Sequence, residues 1–344
     1  MIQVLCLWNP DHLSGQGSLT SAIAPAVTGL WSDTTTNYSL FALPGLTDYS
    51  WNVVTFNGRR WLRTNKTTAT ANRAFITVAA SVISYGGIKT KYPNAKRVYQ
   101  TIRIYVPSCK GGALLLCDST GAGYYGVTAN NEYFVEVVTN LENNTRTIYV
   151  NGVVTANTFP TGSYVGVGDF NGTMFNAAGQ GHYITDYVFA ISEDVSPPTR
   201  LGKISVKTLK GVSTSGSDQF TAVGSGSSIG GILTNGRDAT PPNAVTTYVN
   251  SDSNGSKLNL NWAPIANGDT VIGAMFRGSA IKLPSADAEA YMSINGLEKV
   301  IATSNTNAVS PLPAITPLTI PNPGTGWSEE RLSLLTIQLY SKRP

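Results

Sequence analysis

Hydrophobic positions along this chain recur with the period of strands and almost nowhere with that of helices. Short runs rich in Val, Ile, Tyr, Phe and Thr are separated by Gly, Asn, Asp and Pro, the punctuation of turns. "RAFITVAASVI", "RVYQTIRIYV", "GALLLCD", "EYFVEVVTN", "TRTIYVNG", "VVTANTF" and "YITDYVFAIS" are predicted strands of the first part. In "RTIYVNGVVT" (146–155), alternation sends Thr147 and Tyr149 to one side and Ile148 and Val150 to the other. Asn151 and Gly152 both tolerate positive φ, so a tight hairpin is expected there, with Ile148 and Val150 facing a core. Upstream, "YFVEVV" offers an apolar face and "NLENNTR" is turn-forming, so residues 132–155 read as three consecutive antiparallel strands.

A boundary falls near "SEDVSPPTRLGK", because Pro197 and Pro198 resist ladder pairing and favour an extended connector. Beyond it "KISVKTLK" alternates strictly and is expected to open a second set of strands, while "GVSTSGSDQFTAVGSGSSIGGILTNG" reads as loop. "VTTYVNS", "KLNLNWAP", "TVIGAMFRGSAIKL", "AEAYMSING" and "LTIQLYS" are the predicted strands that follow. One short helix is expected at "SEERLSLL", with Ser328 as N-cap and Glu329 and Glu330 in the first turn. The expected fold class is all-β: two antiparallel β-sandwich domains, jelly-roll-like or lectin-like, over residues 1–198 and 199–344, with that helix near the C-terminus.

Composition narrows the class further. A chain of 344 residues is long enough for two domains with cores of their own. Charged residues make up 13%, about half the usual ~25%, while 42% of residues are apolar, which excludes a disordered chain. A polar but uncharged surface suits dense assembly, where each buried charge would have to be desolvated. The net charge of +4 is spread along the chain. Its densest stretches, "NGRRWLRTNK" and "YPNAKRVYQ", are broken by aromatic and polar residues. Arg59, Arg60, Arg63 and Lys66 are therefore read as a solvated basic face in preference to phosphate contacts, and nucleic acid is not an expected partner.

Cys6, Cys109 and Cys117 are an odd number in no zinc spacing, so reduced thiols are expected in a protein made in the cytosol. The start, "MIQVLCLWNPDHL", lacks the pattern of a cleaved signal, and no apolar run approaches the ~18 residues that span a bilayer. Export by a cleaved signal and a membrane partner are not expected.

Candidate chemistry is sparse. His12 and His182 are the two histidines; His182 has Asp186 nearby, but no nucleophile motif accompanies them. "GAGYYG" satisfies G-x-G-x-x-G, yet a dinucleotide site needs a helix next, and "VTANNEYFVEV" reads as strand. Asp169 with Asn171, and Asp252 with Asn254, offer oxygen ligands for calcium but read better as Asx-turns, so no metal or other cofactor is expected. Glu329 and Glu330 diverge on a helix and form no catalytic pair. Tyr124, Tyr125, Trp51 and Trp61 are the candidate glycan contacts, set against the alternative that such aromatics belong to a core or interface. No carboxylate pair stands in a glycosidase context, and no enzymatic activity is expected.

Two stretches resemble known families. "EYFVEVVTNLENNTRTIYVNGVVTA" is similar to the hairpin of concanavalin-like and laminin-G-like sandwiches. "YITDYVFAISEDVSPPTRLGKISVKTLK", "ATPPNAVTTYVNSDSNGSKLNL" and "GWSEERLSLLTIQLYSK", in that order, resemble the carboxyl-terminal part of a group of tailed-bacteriophage structural proteins. Leu201 with Gly202, Pro241 with Pro242, Tyr248 with Val249, and Trp327 occupy the positions of that pattern. "NAVTT" stands where the group often carries an acidic residue. The resemblance, over roughly residues 130–344, implies a virion component: tail, fibre, collar or capsid decoration. It would contact other virion proteins as a homo-oligomer and be located in the virion. A carbohydrate-binding module for a host surface glycan is the alternative.

Overall fold

A computed structural model of the chain describes residues 2–12, 16–18, 49–66, 74–77, 89, 92–107, 112–117, 122–143, 145–160, 166–169, 183–194, 196–209, 211–214, 219–223, 229, 248–250, 257–262, 270–278, 289–302, 316–319, 327–328 and 337–342. The chain divides into two compact units, one of Met1–Asp11 with Gly15–Val206, the other of His12–Ser14 with Lys207–Pro344. The first unit therefore runs past Pro198, and residues 199–206 belong to it.

The first unit opens with β1 (Ile2–Trp8) and β2 (Gln16–Ser18), then β3 (Tyr49–Phe56), β4 (Arg59–Lys66) and β5 (Ala74–Thr77). It continues with β6 (Arg97–Val106), β7 (Gly112–Cys117), β8 (Ala122–Val127) and β9 (Asn131–Asn140). It ends with β10 (Thr145–Val150), β11 (Val153–Pro160), β12 (Gly166–Asp169) and β13 (Tyr183–Ser192). Nine of these form one antiparallel sheet in the order β11-β10-β9-β6-β13-β4-β3-β2, with β1 also on β13. The other four form a second sheet, β5-β12-β7-β8. The segment holding "GAGYYG" is strand β8, as its sequence context suggested.

Three hairpin turns are built alike. Asn57 and Gly58, Asn151 and Gly152, and Asn295 and Gly296 all have positive φ at both positions, so each turn carries the twist that antiparallel strands need. The middle one joins β10 to β11, and β9, β10 and β11 are the three consecutive antiparallel strands expected. Ile148 and Val150 are fully buried. They share a face with Val98, Ile104, Val106, Val135, Val137, Phe189 and Ile191, all buried, and each such side chain contributes about 1.5–3 kcal/mol on leaving water.

The second unit holds β14 (Gly211–Thr214), β15 (Thr221–Val223), β16 (Tyr248–Asn250), β17 (Lys257–Trp262) and β18 (Met275–Gly278). Then come β19 (Glu289–Ile294), β20 (Leu297–Ala302), β21 (Thr316–Thr319) and β22 (Ile337–Lys342). An antiparallel five-stranded sheet, β14-β17-β22-β19-β20, is accompanied by the pairs β15-β16 and β18-β21. Strands β14 and β15 lie inside the Gly/Ser-rich stretch expected to be loop. "KISVKTLK" supplies no strand: residues 204–209 are irregular, and the next strand begins at Gly211. The helix expected after Ser328 falls on 329–336, outside the described residues. The protein is all-β, with a large antiparallel sheet.

Gly152 differs from Gly58 in one respect. A Cβ on Gly152 would meet the Arg200 guanidinium at 3.3 Å, whereas one on Gly58 would meet nothing within 4 Å. Gly58→Ala is expected to cost only the left-handed backbone penalty, about 1–2 kcal/mol in denaturant unfolding. Gly152→Ala should cost more, by up to about 1 kcal/mol, because the Arg200 guanidinium must shift by a few tenths of an ångström and so weaken its charged hydrogen bonds. Equal losses in the two variants would mean that Arg200 does not hold the turn.

Candidate functional site

Strands β6 and β9 are buried along both faces, not one. Alternation along "RVYQTIRIYV" sends Arg97, Tyr99, Thr101, Arg103 and Tyr105 to the face opposite Val98, Ile102 and Ile104. Register sets Glu136 beside Thr101, Phe134 beside Arg103 and Glu132 beside Tyr105 on that same second face. On β13, Thr185 pairs with Arg103 and Val188 with Thr101, which leaves Asp186 and Tyr187 in a bulge between them. Asp186 takes φ +53°, a conformation that Asp adopts more readily than most residues.

What covers this polar face is the chain's own residues 197–206. Arg97 donates to the carbonyls of Pro197 at 3.1 Å and Pro198 at 2.8 Å, and the Tyr99 hydroxyl donates to Pro198 O at 2.6 Å. Glu136, fully buried, accepts from the Leu201 and Gly202 amides through Oε1 and from Arg200 Nε through Oε2 at 2.9 Å. Gly202 has φ +81°, so Leu201 and Gly202 turn successive N–H groups toward one carboxylate. Arg200 also donates to Gly152 O at 2.9 Å and stacks on the Tyr149 ring, 4.6 Å from its centroid. The Asn151–Gly152 hairpin is thereby one wall of the socket. Asn151 closes its other side by exchanging hydrogen bonds with Phe134, backbone N–H to Phe134 O and Oδ1 from Phe134 N, both at 2.8 Å.

A second clamp sits further along. Arg103 donates through Nε to Asp186 Oδ2 at 2.8 Å, through Nη1 to Glu132, and through Nη2 to Ile204 O at 2.9 Å. Asp186 also pairs with Arg59, and its Oδ1 accepts from the Val206 amide at 3.0 Å. Asn9 Nδ2 donates to Val206 O at 3.1 Å. The backbone of residues 197–206 thus finds side chains where a ladder strand would find another strand. This is why alternation in "KISVKTLK" produced no strand.

Buried ions are tolerated only when each is paired and its remaining lone pairs are filled. Arg59, Arg103 and Arg200 here face Glu132, Glu136 and Asp186, while Arg97 is taken up by backbone carbonyls. Both buried carboxylates are filled on both oxygens. Such groups position a backbone.

Arg59, Arg60 and Arg63 are not a solvated face; the Lys66 side chain lies outside the described residues. Arg59 pairs with Asp186, Arg60 donates to Asp11 O at 3.2 Å, and Arg63 lies 5.8 Å from the Tyr183 ring centroid. Trp61, expected among the glycan contacts, is 1% exposed and donates its indole N–H to Phe56 O, in a cluster with Tyr105. It is a core residue with no ring face for a sugar. Trp51 falls in β3 and Tyr124 and Tyr125 in β8, but their side chains lie outside the described residues, as do His182 and the Asp169 carboxylate. Asp186, the acid considered beside His182, is consumed by the clamp. Among the described residues no group of three or more His, Cys, Asp or Glu is placed to hold a metal ion, and no helix is long and apolar enough to cross a membrane.

Reasoning from sequence missed Glu136, Arg103 and Arg200. A signal was present: "YFVEVV" and "TIRIYV" each carry one charge, of opposite sign, inside an otherwise β-forming run. A charge so placed needs a buried partner.

No protein-family model matches the chain, and no curated protein matches it. Among solved structures, the chain is similar to domain 4 of AbnA, an extracellular GH43 arabinanase from Geobacillus stearothermophilus, in complex with arabinotriose. That likeness has 6% identity and a TM-score of 0.27, over 56% of this chain and 93% of that one. A sialidase aligns at 14% identity and TM-score 0.25, over 43% of this chain and 17% of its own. A mutant Trypanosoma rangeli sialidase displaying trans-sialidase activity aligns at 14% and 0.25, over 50% and 34%. The chain thus spans a minor part of either sialidase, and likeness at these TM-scores bears on neither activity nor ligand.

Burial pushes the Tyr99 phenol from 10.0 up to about 12, against the opposing pull of the Arg97 guanidinium. The folded state therefore favours the protonated phenol. Its contribution is fully present below pH 10 and is lost as pH rises toward about 12. Tyr99→Phe should cost about 1 kcal/mol at neutral pH, the worth of the Pro198 hydrogen bond. The gap between wild type and variant should shrink as denaturant midpoints are followed from pH 10 upward. A gap that stays constant to about pH 11 would contradict this placement of the phenol.

Proposed function

We propose that the chain is a non-enzymatic structural component of a tailed-bacteriophage virion, in the tail, fibre, collar or capsid decoration, making protein–protein contacts there as a homo-oligomer. The observation that carries this reading is the role of Leu201 and Gly202. They stand at the Leu-Gly step of the resemblance to virion proteins, and their amides clasp the buried Glu136. A connector fastened at Pro197, Pro198, Arg200, Leu201, Gly202, Ile204 and Val206 suits a protein that must keep a defined take-off point under assembly. The non-enzymatic reading is supported by the commitment of Glu136 and Asp186 to arginines and backbone amides. Low charge overall, with Arg59 paired to the buried Asp186, is in keeping with surfaces meant to be covered.

The test is proteomic and direct. Intact particles purified from cells producing this chain are digested and quantified by mass spectrometry, and antibody labelling locates the chain by electron microscopy. The chain is expected in fixed, multiple copies per particle at one structural position. Its absence from intact particles, together with a lone monomer in solution, would overturn the proposal.

A further inference from the structure

Residues 197–206 are held in two unequal ways. The Asp186 clamp keeps its cations without the strap: Arg103 and Arg59 both reach Asp186 Oδ2 from strands β6 and β4, and the strap adds the Val206 amide at Oδ1. The Glu136 clamp is different. Among the described residues, all three donors to that carboxylate, Arg200 Nε and the Leu201 and Gly202 amides, come from the strap formed by residues 197–206. Lifting the strap strips a fully buried carboxylate of every partner these contacts supply.

That asymmetry governs how the strap can leave. Partial lifting, with Arg200 displaced and the rest docked, leaves a desolvated negative charge without its cation, which is unfavourable. Complete lifting admits water to Glu136 and removes the penalty. Intermediates are disfavoured relative to both ends, so docking should be all-or-none. The contacts also fall largely on the strap's backbone: the carbonyls of Pro197, Pro198, Ile204 and Val206 and the amides of Leu201, Gly202 and Val206. Backbone contacts can be broken and remade without repacking a core.

We infer that residues 197–206 form a releasable latch, docking and undocking on the sheet as one cooperative unit that separates from unfolding of the sheet itself. Docked, the chain leaves the first unit at Val206; released, it leaves just before Pro197, beyond the end of β13 (Tyr183–Ser192). Ten freed residues extend to roughly 33 Å, so release converts a fixed take-off point into a long tether for residues 207 onward. Glu136 and Arg200 set the balance between the two states. This goes beyond the virion reading and does not depend on it.

Hydrogen–deuterium exchange on the full chain decides the matter. In Glu136→Gln, the Leu201, Gly202 and Val206 amides should all exchange roughly tenfold faster or more, while Ile102 and Val135 in the sheet keep their rates. Arg200→Ala, which alters no sheet residue, should give the same pattern and guards against a Glu136 variant that fails to fold. Faster exchange at Leu201 and Gly202 with Val206 unchanged would overturn cooperativity. In Arg200→Ala, acceleration of Ile102 and Val135 in step with the strap would overturn its independence from the sheet, and no change at any strap amide would overturn the latch.

Discussion

A carboxylate with no exposed surface, set in the middle strands of a sheet, is the constraint around which the first unit is arranged. A carboxylate so buried needs donors on both oxygens to offset its lost hydration. No strand neighbour opposite Glu136 supplies a cation, since Thr101 and Tyr149 lie there in register. The donors come from sixty-odd residues further along, in Arg200, Leu201 and Gly202. That requirement draws the connector onto the sheet, brings Arg200 against Tyr149 and the Gly152 carbonyl, and so ties the β10–β11 hairpin to the connector as well. The neighbouring Arg103 and Asp186 pair extends the same arrangement along the strap.

The arrangement accounts for several properties that look unrelated in isolation. Few charges are needed if those present face one another, which suits a chain with only 13% charged residues. The bulge at Asp186 has a purpose, since it sets the carboxylate between Arg59 and Arg103 with one oxygen left for the Val206 amide. Proline at 197 and 198 fits as well: neither residue has an N–H to satisfy, and both carbonyls are taken by Arg97. The connector is built to be covered by side chains on one side only.

Local rules made much of the fold legible. Asn-Gly turns, alternating apolar runs and the lack of helical period led to the antiparallel strands, the β9–β10–β11 meander and the inward Ile148 and Val150. What local rules could not show was the second buried face. The alternation of Arg97, Tyr99, Thr101 and Arg103 looks like an ordinary solvated face until a distant segment is laid on it. In "KISVKTLK" the alternation is real, since Lys203 and Ser205 are exposed and Ile204 and Val206 half-buried, but the hydrogen-bond partners are side chains and no ladder forms. Periodicity reports which way side chains point; it does not report what the backbone binds. Trp61 was misplaced for the same reason, as its ring shares that second face with Tyr105 and Tyr183.

If Glu136 recruits the connector through Arg200, the two side chains must be energetically coupled. A double-mutant cycle on Glu136→Gln and Arg200→Met, read by denaturant unfolding of the full chain, measures that coupling apart from the cost of either change alone. A coupling of about 1–3 kcal/mol is expected, falling in the range of contacting charged pairs. Losses that simply add would mean that the connector rests on the sheet without being held by it.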